Sequence, residues 1–431
     1  MKTSLAIAAI AALSFSLAQL PAVAKDWPAY RGVKSDGKSD ESILRAWPSE
    51  GLKNRWRVPL TDGLSSFSTG DGKAYTLVQR DVEGVKREVI AALDASTGKE
   101  VWAAPLQVAK YDGGGGDGTA DNRGGDGPRS TPTFADGKVY VLSANLKLAC
   151  FDAKTGKQVW IRDIMAEHSG RNIRWQNAAS PLLDGDKIFA AGGGAGESLL
   201  AFDRQSGKTV WKSQDELITH ATPTIAEIHG KRQVIFFTQS GLVALDVNTG
   251  ELLWKHPFRF NVSTAASPVV SGDIVYCAAG YGVGSTAVKI AKKGAGFAAT
   301  ELWRVTGNKI ANHWSTPVAH NGYLYGMFSF KEYGSGALKC VELATGNEVW
   351  AQAGFGAGNV ILVDGQIVAL SDAGQLVLVK PDPKGYRETA RMKAVQGKCW
   401  STPIVSHGKV LVRSTREAAA FDIAPAVSSL K

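Results

Sequence analysis

The chain has 431 residues, 44% of them apolar and 21% charged, with a formal net charge of +9. That length allows two domains or one large repetitive fold, and the composition excludes a disordered chain. The 48 Gly and 12 Trp, against 4 Met, suit many short strands joined by tight turns, with one aromatic recurring per unit.

The chain opens with Met1-Lys2, an almost entirely apolar run from Leu5 to Leu20, and the small-residue site Ala22-Val23-Ala24. Residues 1–24 therefore read as an export signal cleaved near Ala24, which predicts a periplasmic or secreted mature protein. No later stretch approaches the roughly 18 apolar residues of a spanning helix. Residues 25–51 form a lead segment, 52–424 the single domain developed below, and 425–431 a tail.

One unit organises the mature chain: an acidic residue, a T-G or S-G pair, and a Trp eight positions after the acid. It runs from Asp94 to Trp102, Asp152 to Trp160, Asp203 to Trp211, Asp246 to Trp254 and Glu342 to Trp350. In these copies Gly98, Gly156, Gly207, Gly250 and Gly346 stand four before the Trp. The acid can accept from backbone N–H groups two residues on, and the Gly takes the positive-φ position of a tight turn. The strand that follows ends on an aromatic able to seal the space between neighbouring sheets.

A second pattern precedes each copy. It is S-x-P or a relative, with an apolar strand opening seven residues after the Pro: Pro132 leads to Val139, Pro181 to Ile188, Pro268 to Val275, Pro317 to Leu324 and Pro403 to Val410. Pro223 leads to Val234 with a four-residue insertion, and Phe67 and Val360 take the Pro position in two degenerate copies. Turn pairs such as Asp136-Gly137 and His407-Gly408 lie between. Together these give eight units, beginning near residues 64, 129, 178, 220, 265, 314, 357 and 400. A spacing centred in the mid-forties with four strands per unit predicts an all-β fold, an eight-bladed β-propeller. Trp303 closes unit five without a T-G turn, and unit seven lacks both turn and Trp. Unit eight ends at Ala418–Asp422 with no Trp strand, while Leu52–Val58, containing Trp56, is a Trp strand with no unit before it. Pairing the two closes the ring and removes its free edges.

Cys150, Cys277, Cys340 and Cys399 form no C-x-x-C motif. Cys150 and Cys340 hold the same position in units two and six, on opposite sides of the ring, too far apart for a bridge. Buried thiols are expected.

The A-x-D-x-x-T-G-K-x-x-W unit resembles the repeat of pyrroloquinoline-quinone-type propellers. These are the domains of quinoprotein alcohol dehydrogenases and their non-enzymatic relatives. Asp26-Trp-Pro-Ala-Tyr-Arg-Gly32, the run from Gly125 to Pro132, and Gly280-Tyr-Gly282 also resemble a group of secreted bacterial quinone-binding-like propellers. The resemblance covers about residues 26–423. The same repeat builds the propeller of the outer-membrane assembly machinery, which carries no cofactor, so the fold alone does not give the function. The dehydrogenases hold their quinone between a Trp and a disulfide of adjacent cysteines, with a calcium ion beside a catalytic Asp. This chain has no adjacent cysteines, and no carboxylate matches those motifs.

The residue three before each Pro should form a ring at one mouth of the axial channel. That ring is Leu64, Arg129, Ala178, His220, Ala265, Trp314, Ala357 and Trp400, with Asn177, His313 and Cys399 one residue earlier. Small residues alternate with large ones. Arg129 could take a carboxylate and the Trp residues could stack on a flat ring or sugar, or the large side chains could plug the axis. Two long connections, 103–128 and 161–177, enter at this face. The second brings Arg174 and Trp175. The first holds Asp112, Asp117, Asp121 and Asp126 among glycines, weak candidates for calcium because their spacing fits no calcium loop. His220 and His313 lie two blades apart with no paired acid or nucleophile in sequence. The charge is spread without a basic run.

The expectation is a non-catalytic exported propeller, monomeric and without cofactor, that binds an envelope protein, a glycan or a small ligand, and neither nucleic acid nor a membrane span. The alternative is an alcohol or sugar dehydrogenase using pyrroloquinoline quinone and Ca²⁺.

Overall fold

The computed structural model describes residues 25–109, 111, 126–262, 264–294, 296–328 and 334–425. Residues 1–24, read above as an export signal, and Asp112, Asp117 and Asp121 lie outside the described residues. Among those described, no helix is long and apolar enough to cross a membrane.

Eight antiparallel sheets form the expected ring of blades. The second and third strands of most blades, such as Lys138–Leu142 and Lys147–Asp152 in blade 2, are nearly fully buried, because apolar runs of this kind are covered on both faces. The outermost strands, such as Gln158–Asp163, are largely exposed. The core does not sit on the axis. Seven apolar clusters lie between blades, as where Tyr140 and Leu148 of blade 2 pack with Ile188 and Phe202 of blade 3.

Turn chemistry behaves as the motifs imply. Asp136 and Gly137 adopt φ of 46° and 70°, and His407 and Gly408 adopt 50° and 73°, the paired left-handed geometry of a two-residue hairpin. Asp94 Oδ1 accepts from the backbone N–H groups of Ser96 and Thr97 at 3.0 and 2.8 Å.

The repeated Trp docks on the following blade. Trp102 Nε1 donates to Ala153 O at 3.0 Å and Trp211 Nε1 to Val247 O at 3.1 Å. Gly156 has φ +72°, and a Cβ there would sit 2.6 Å from the Trp102 ring, so the turn needs Gly for both backbone and space. A register shift beside each Trp, such as that between Gln158 and Trp160, leaves the preceding residue unpaired and turns the indole toward the neighbour. Where blade 5 lacks the T-G turn, Trp254 instead donates to Gln233 in its own blade, at 2.6 Å.

Ring closure is as expected. Trp56 pairs with Ala420 and Asn54 with Phe421, and the Trp56 indole donates to Ala95 O of blade 1 at 3.1 Å. All four cysteines are free and buried.

The lead segment is integral to the ring. Lys38–Ser39 adds a fifth, parallel strand to the innermost strand of blade 7. The segment also accepts from Thr69 N of blade 1 through Trp27 O, and from Phe134 N of blade 2 through Pro28 O. Buried Arg31 donates to Thr316 O and Pro317 O of blade 6, both at 2.8 Å. These partners lie farther along the inner strands than the mouth residues, so the segment crosses the far end of the channel.

Candidate functional site

The axial mouth opens into a funnel with a cavity of about 110 Å³, room for several waters. Seven of the eight mouth residues line it, together with Trp175, Tyr281 and Tyr30. Tyr30 belongs to the lead segment, and its hydroxyl lies 3.5 Å from Thr316 Oγ1. It lines the funnel on the side of the lead segment.

The eighth residue, Ala357, is buried at 4% exposure. Trp314 of blade 6 and Trp400 of blade 8 flank its blade and stack with centroids 4.7 Å apart and planes 13° apart. The small side chain of blade 7 lets the two indoles meet. Lys398 Nζ lies 4.5 Å from the Trp400 centroid, and it pairs with Asp126 Oδ2 at 2.6 Å, with both side chains at most 3% exposed. Asp126 is thus held by an ammonium. Among the described residues no group of three or more His, Cys, Asp or Glu is arranged to hold a metal.

Arg129 donates to Trp175 O and lies over the Tyr111 ring at 5.9 Å. Burial lowers its pKa, opposed by nearby Tyr111, Asp126 and Glu88. Trp175 and Gln176 both adopt left-handed φ, 66° and 65°, a strained pair held where the connection turns over the mouth. Arg174 is exposed, 4.6 Å from the Trp175 centroid.

His220 is 6% exposed, and its Nε2 has no hydrogen-bond partner among the described residues. Interactions with the Gln176 and Arg174 backbone favour its protonated form. Burial, then Arg129 and His313, push its pKa down to about 3, so the ring stays neutral.

Three residues of the predicted set, the exposed Arg174 and the buried Asn177 and His313, do not line the cavity. Asn177 bonds the carbonyls of Ser143 and Ala179 at 3.2 and 3.0 Å and accepts from Ala179 N at 3.0 Å, so its amide shapes the connection. His313 is buried between Tyr281 and Trp314, with centroids 5.2 and 4.7 Å away.

Sequence reasoning missed a deeper layer. The residue immediately before each Pro is a hydroxyl, and the two degenerate units supply Ser66 and Asn359. These side chains stitch adjacent blades. Ser66 N donates to Thr131 Oγ1 at 3.1 Å, Thr131 N to Ser180 Oγ at 2.9 Å, Ser180 N to Thr222 Oγ1 at 2.9 Å and Thr402 N to Ser66 Oγ at 2.8 Å. The signal was present in every S/T-P pair. Only its periodicity at the channel wall was overlooked.

Comparison with known proteins places this geometry. The model of the family described as "Outer membrane protein assembly factor BamB" matches residues 86–352, more than half of the chain. The chain belongs to that family. It lies within the expected superfamily of pyrroloquinoline-quinone-like propellers, and its relatives include both an assembly factor and a dehydrogenase. It is 28% identical over 289 residues to an outer membrane protein assembly factor BamB of Shewanella oneidensis, covering 63% of this chain and 66% of that protein. It is 31% identical over 166 residues to a quinoprotein ethanol dehydrogenase of Pseudomonas aeruginosa, covering 34% of this chain but 26% of the enzyme. The crystal structure of the quinohemoprotein alcohol dehydrogenase from Comamonas testosteroni shares the fold, with a TM-score of 0.62 at 13% identity over 92% of this chain and 80% of that one.

The donor set of the funnel does not fit the quinone and calcium pair of such enzymes. Among the described residues, no carboxylate lines it. The cysteines are buried at four separate places. The Trp314 and Trp400 faces cover one another.

Proposed function

We propose that the chain is a non-catalytic binding propeller of the cell envelope whose axial funnel holds a small ligand. One observation carries this reading. Large side chains from blades 2, 4, 6 and 8 converge on a cavity where, among the described residues, no acid–base pair and no metal-ligating cluster is found. Export rests on the apolar segment and small-residue site of residues 1–24. A second reading, a scaffold for outer-membrane protein assembly, is supported by membership of the assembly-factor family. It uses exposed faces of the propeller and is compatible with an occupied funnel.

The test has two arms. After incubation with pyrroloquinoline quinone and Ca²⁺, the protein should not reduce a dye in the presence of alcohols or sugars. Sustained turnover would overturn the non-catalytic reading. A screen of metabolites and short glycans by intrinsic fluorescence should yield a ligand whose signal disappears in Trp314→Ala. A folded protein with no hit, or hits indifferent to that substitution, removes the funnel as the site.

A further inference from the structure

The lead segment begins against blade 8, the blade that closes the ring. Lys25 O accepts from His407 N at 3.3 Å and from Ser406 Oγ at 3.1 Å, and Leu44 N donates to Ile423 O at 2.7 Å. Glu41 stands between these contacts in sequence and is 3% exposed. Its carboxylate accepts from His407 N at 3.2 Å, from Gly408 N at 2.8 Å and from Lys25 N at 3.3 Å. A buried carboxylate is costly unless it has both hydrogen bonds and a counter-charge. Glu41 has the bonds. Among the described residues no Lys, Arg or His side chain is ion-paired with it, because the nearby cations are engaged elsewhere. Lys25 Nζ pairs with Asp40 at 2.8 Å, His407 Nε2 with Asp26 at 3.0 Å and Arg45 with Asp364 at 2.8 Å. Lys409 Nζ donates to His407 O at 3.4 Å.

A backbone atom can supply the missing charge. Lys25 directly follows the small-residue site Ala22-Val23-Ala24. In the uncleaved chain Lys25 N is an amide, neutral and with one hydrogen. Hydrolysis by an export peptidase adds one water across the Ala24–Lys25 bond. It leaves a carboxylate on Ala24 and an ammonium on Lys25. A free α-amino group has an ordinary pKa of about 7.7–8.0, so most of it is charged at neutral pH. The new charge arises on an atom that stands 3.3 Å from Glu41 Oε1.

Resting on the export part of the reading above, and on nothing said of the funnel, we infer that the Ala24–Lys25 bond is a processing site and that the α-ammonium it releases is the counter-ion of Glu41. Cleavage then does more than remove a signal. It ties the start of the lead segment to the His407-Gly408 hairpin of blade 8 through a charge-assisted bond, roughly twice as strong as its neutral counterpart. The precursor has the same hydrogen bond without the charge, so its lead segment is held less firmly. That segment lines the funnel through Tyr30 and pairs with blade 7 through Lys38–Ser39. Processing therefore secures it at the blade where Trp56 pairs with Ala420.

The experiment starts from residues 1–431 expressed with their own signal, and mass spectrometry of the exported protein reads its first residue. Lys25 is expected. Any other first residue on exported protein overturns the processing site and leaves export intact. Stability is then compared between the chain beginning at Lys25 and one that retains Pro21–Ala24, in which Lys25 N stays an amide. Denaturant unfolding at pH 7 should give the Lys25 form a folding equilibrium constant about tenfold larger, the scale of a charge-assisted bond against a neutral one. Equal constants overturn the pairing. Glu41→Gln should abolish the difference between the two forms, and a difference that persists overturns Glu41 as the partner. Should this variant fail to fold, pH answers the same question in the wild type. The pair raises the pKa of the ammonium in the folded chain, so its contribution is complete below the unfolded value of about 8 and is lost as the pH rises through the folded value. The advantage of the Lys25 form should shrink between about pH 8 and about pH 10, and an advantage unchanged at the upper end overturns the ion pair.

Discussion

The outer wall and the axial mouth are built from the same eight repeats, yet they use them in opposite ways. At the wall one residue type recurs. Trp56, Trp102, Trp160, Trp211 and Trp303 each dock on the turn glycine of the next blade, where an added Cβ would sit 2.6 to 2.8 Å from the ring. At the mouth, equivalent positions hold Leu, Arg, Ala, His, Ala, Trp, Ala and Trp. The difference lies in what each position meets. A wall Trp meets only its neighbour, so one solution serves every interface. The mouth residues all meet each other on one axis, where eight large side chains cannot fit, so large and small must alternate. Chemistry can therefore vary at the mouth without disturbing the wall.

The comparison breaks first at ring closure. Trp56→Ala removes a side chain that is 5% exposed and should cost about 3–5 kcal/mol, as other large-to-small core changes do. Denaturant unfolding measures it. A loss below about 1 kcal/mol would mean that the wall is not held by its indoles.

Lys398→Met tests whether the mouth also has a structural anchor. Removing one partner of a buried ion pair leaves Asp126 without its ammonium, at about 3 kcal/mol. Lys398→Met combined with Asp126→Leu should recover most of that loss. If the double variant is no better than the single, the Lys398–Asp126 pair is not the anchor.

The third test separates the regions by pH. His220 is held near a pKa of about 3 in the folded protein, against about 6.5 when unfolded. Between those values the unfolded chain binds the extra proton, so stability falls as the pH drops from 6.5 toward 3. This residue's share is about 2 kcal/mol at pH 5. His220→Gln should flatten that part of the stability profile, and an unchanged slope would show that His220 does not contribute it.

The smallest effect is expected where the indoles face the funnel. Trp314 is half-buried and stacked on Trp400, so Trp314→Ala should cost about 1–2 kcal/mol, mostly lost stacking and partial burial. A loss as large as that of Trp56→Ala would make the mouth a structural plug and erase the contrast.

The fold was legible because its cause is local. An acid, a Gly and a Trp at fixed spacing specify a turn and a docking indole eight positions apart, and repetition counts the blades. The Trp strand missing at one end of the chain and present at the other gave the closure between Trp56 and Ala420. The mouth ring followed from symmetry alone, since equivalent residues of a closed ring share one height. Its inner layer was written in the same S/T-P pairs but went unread, because a hydroxyl before a Pro has no visible partner until the neighbouring blade stands beside it.

What remained belonged to tertiary structure. Lys398 finds Asp126 across 272 residues, and no spacing rule reaches that far. The lead segment carries no repeat in the sequence, yet Tyr30 lines the channel and Arg31 donates to carbonyls 285 and 286 residues away. Short-range turn chemistry is encoded residue by residue, so the sequence by itself determined the repeat, the blade number and the closing strand. Whether the axis would be open or plugged depended on side chains from all eight blades and the lead segment competing for one volume, and only the assembled ring decided it.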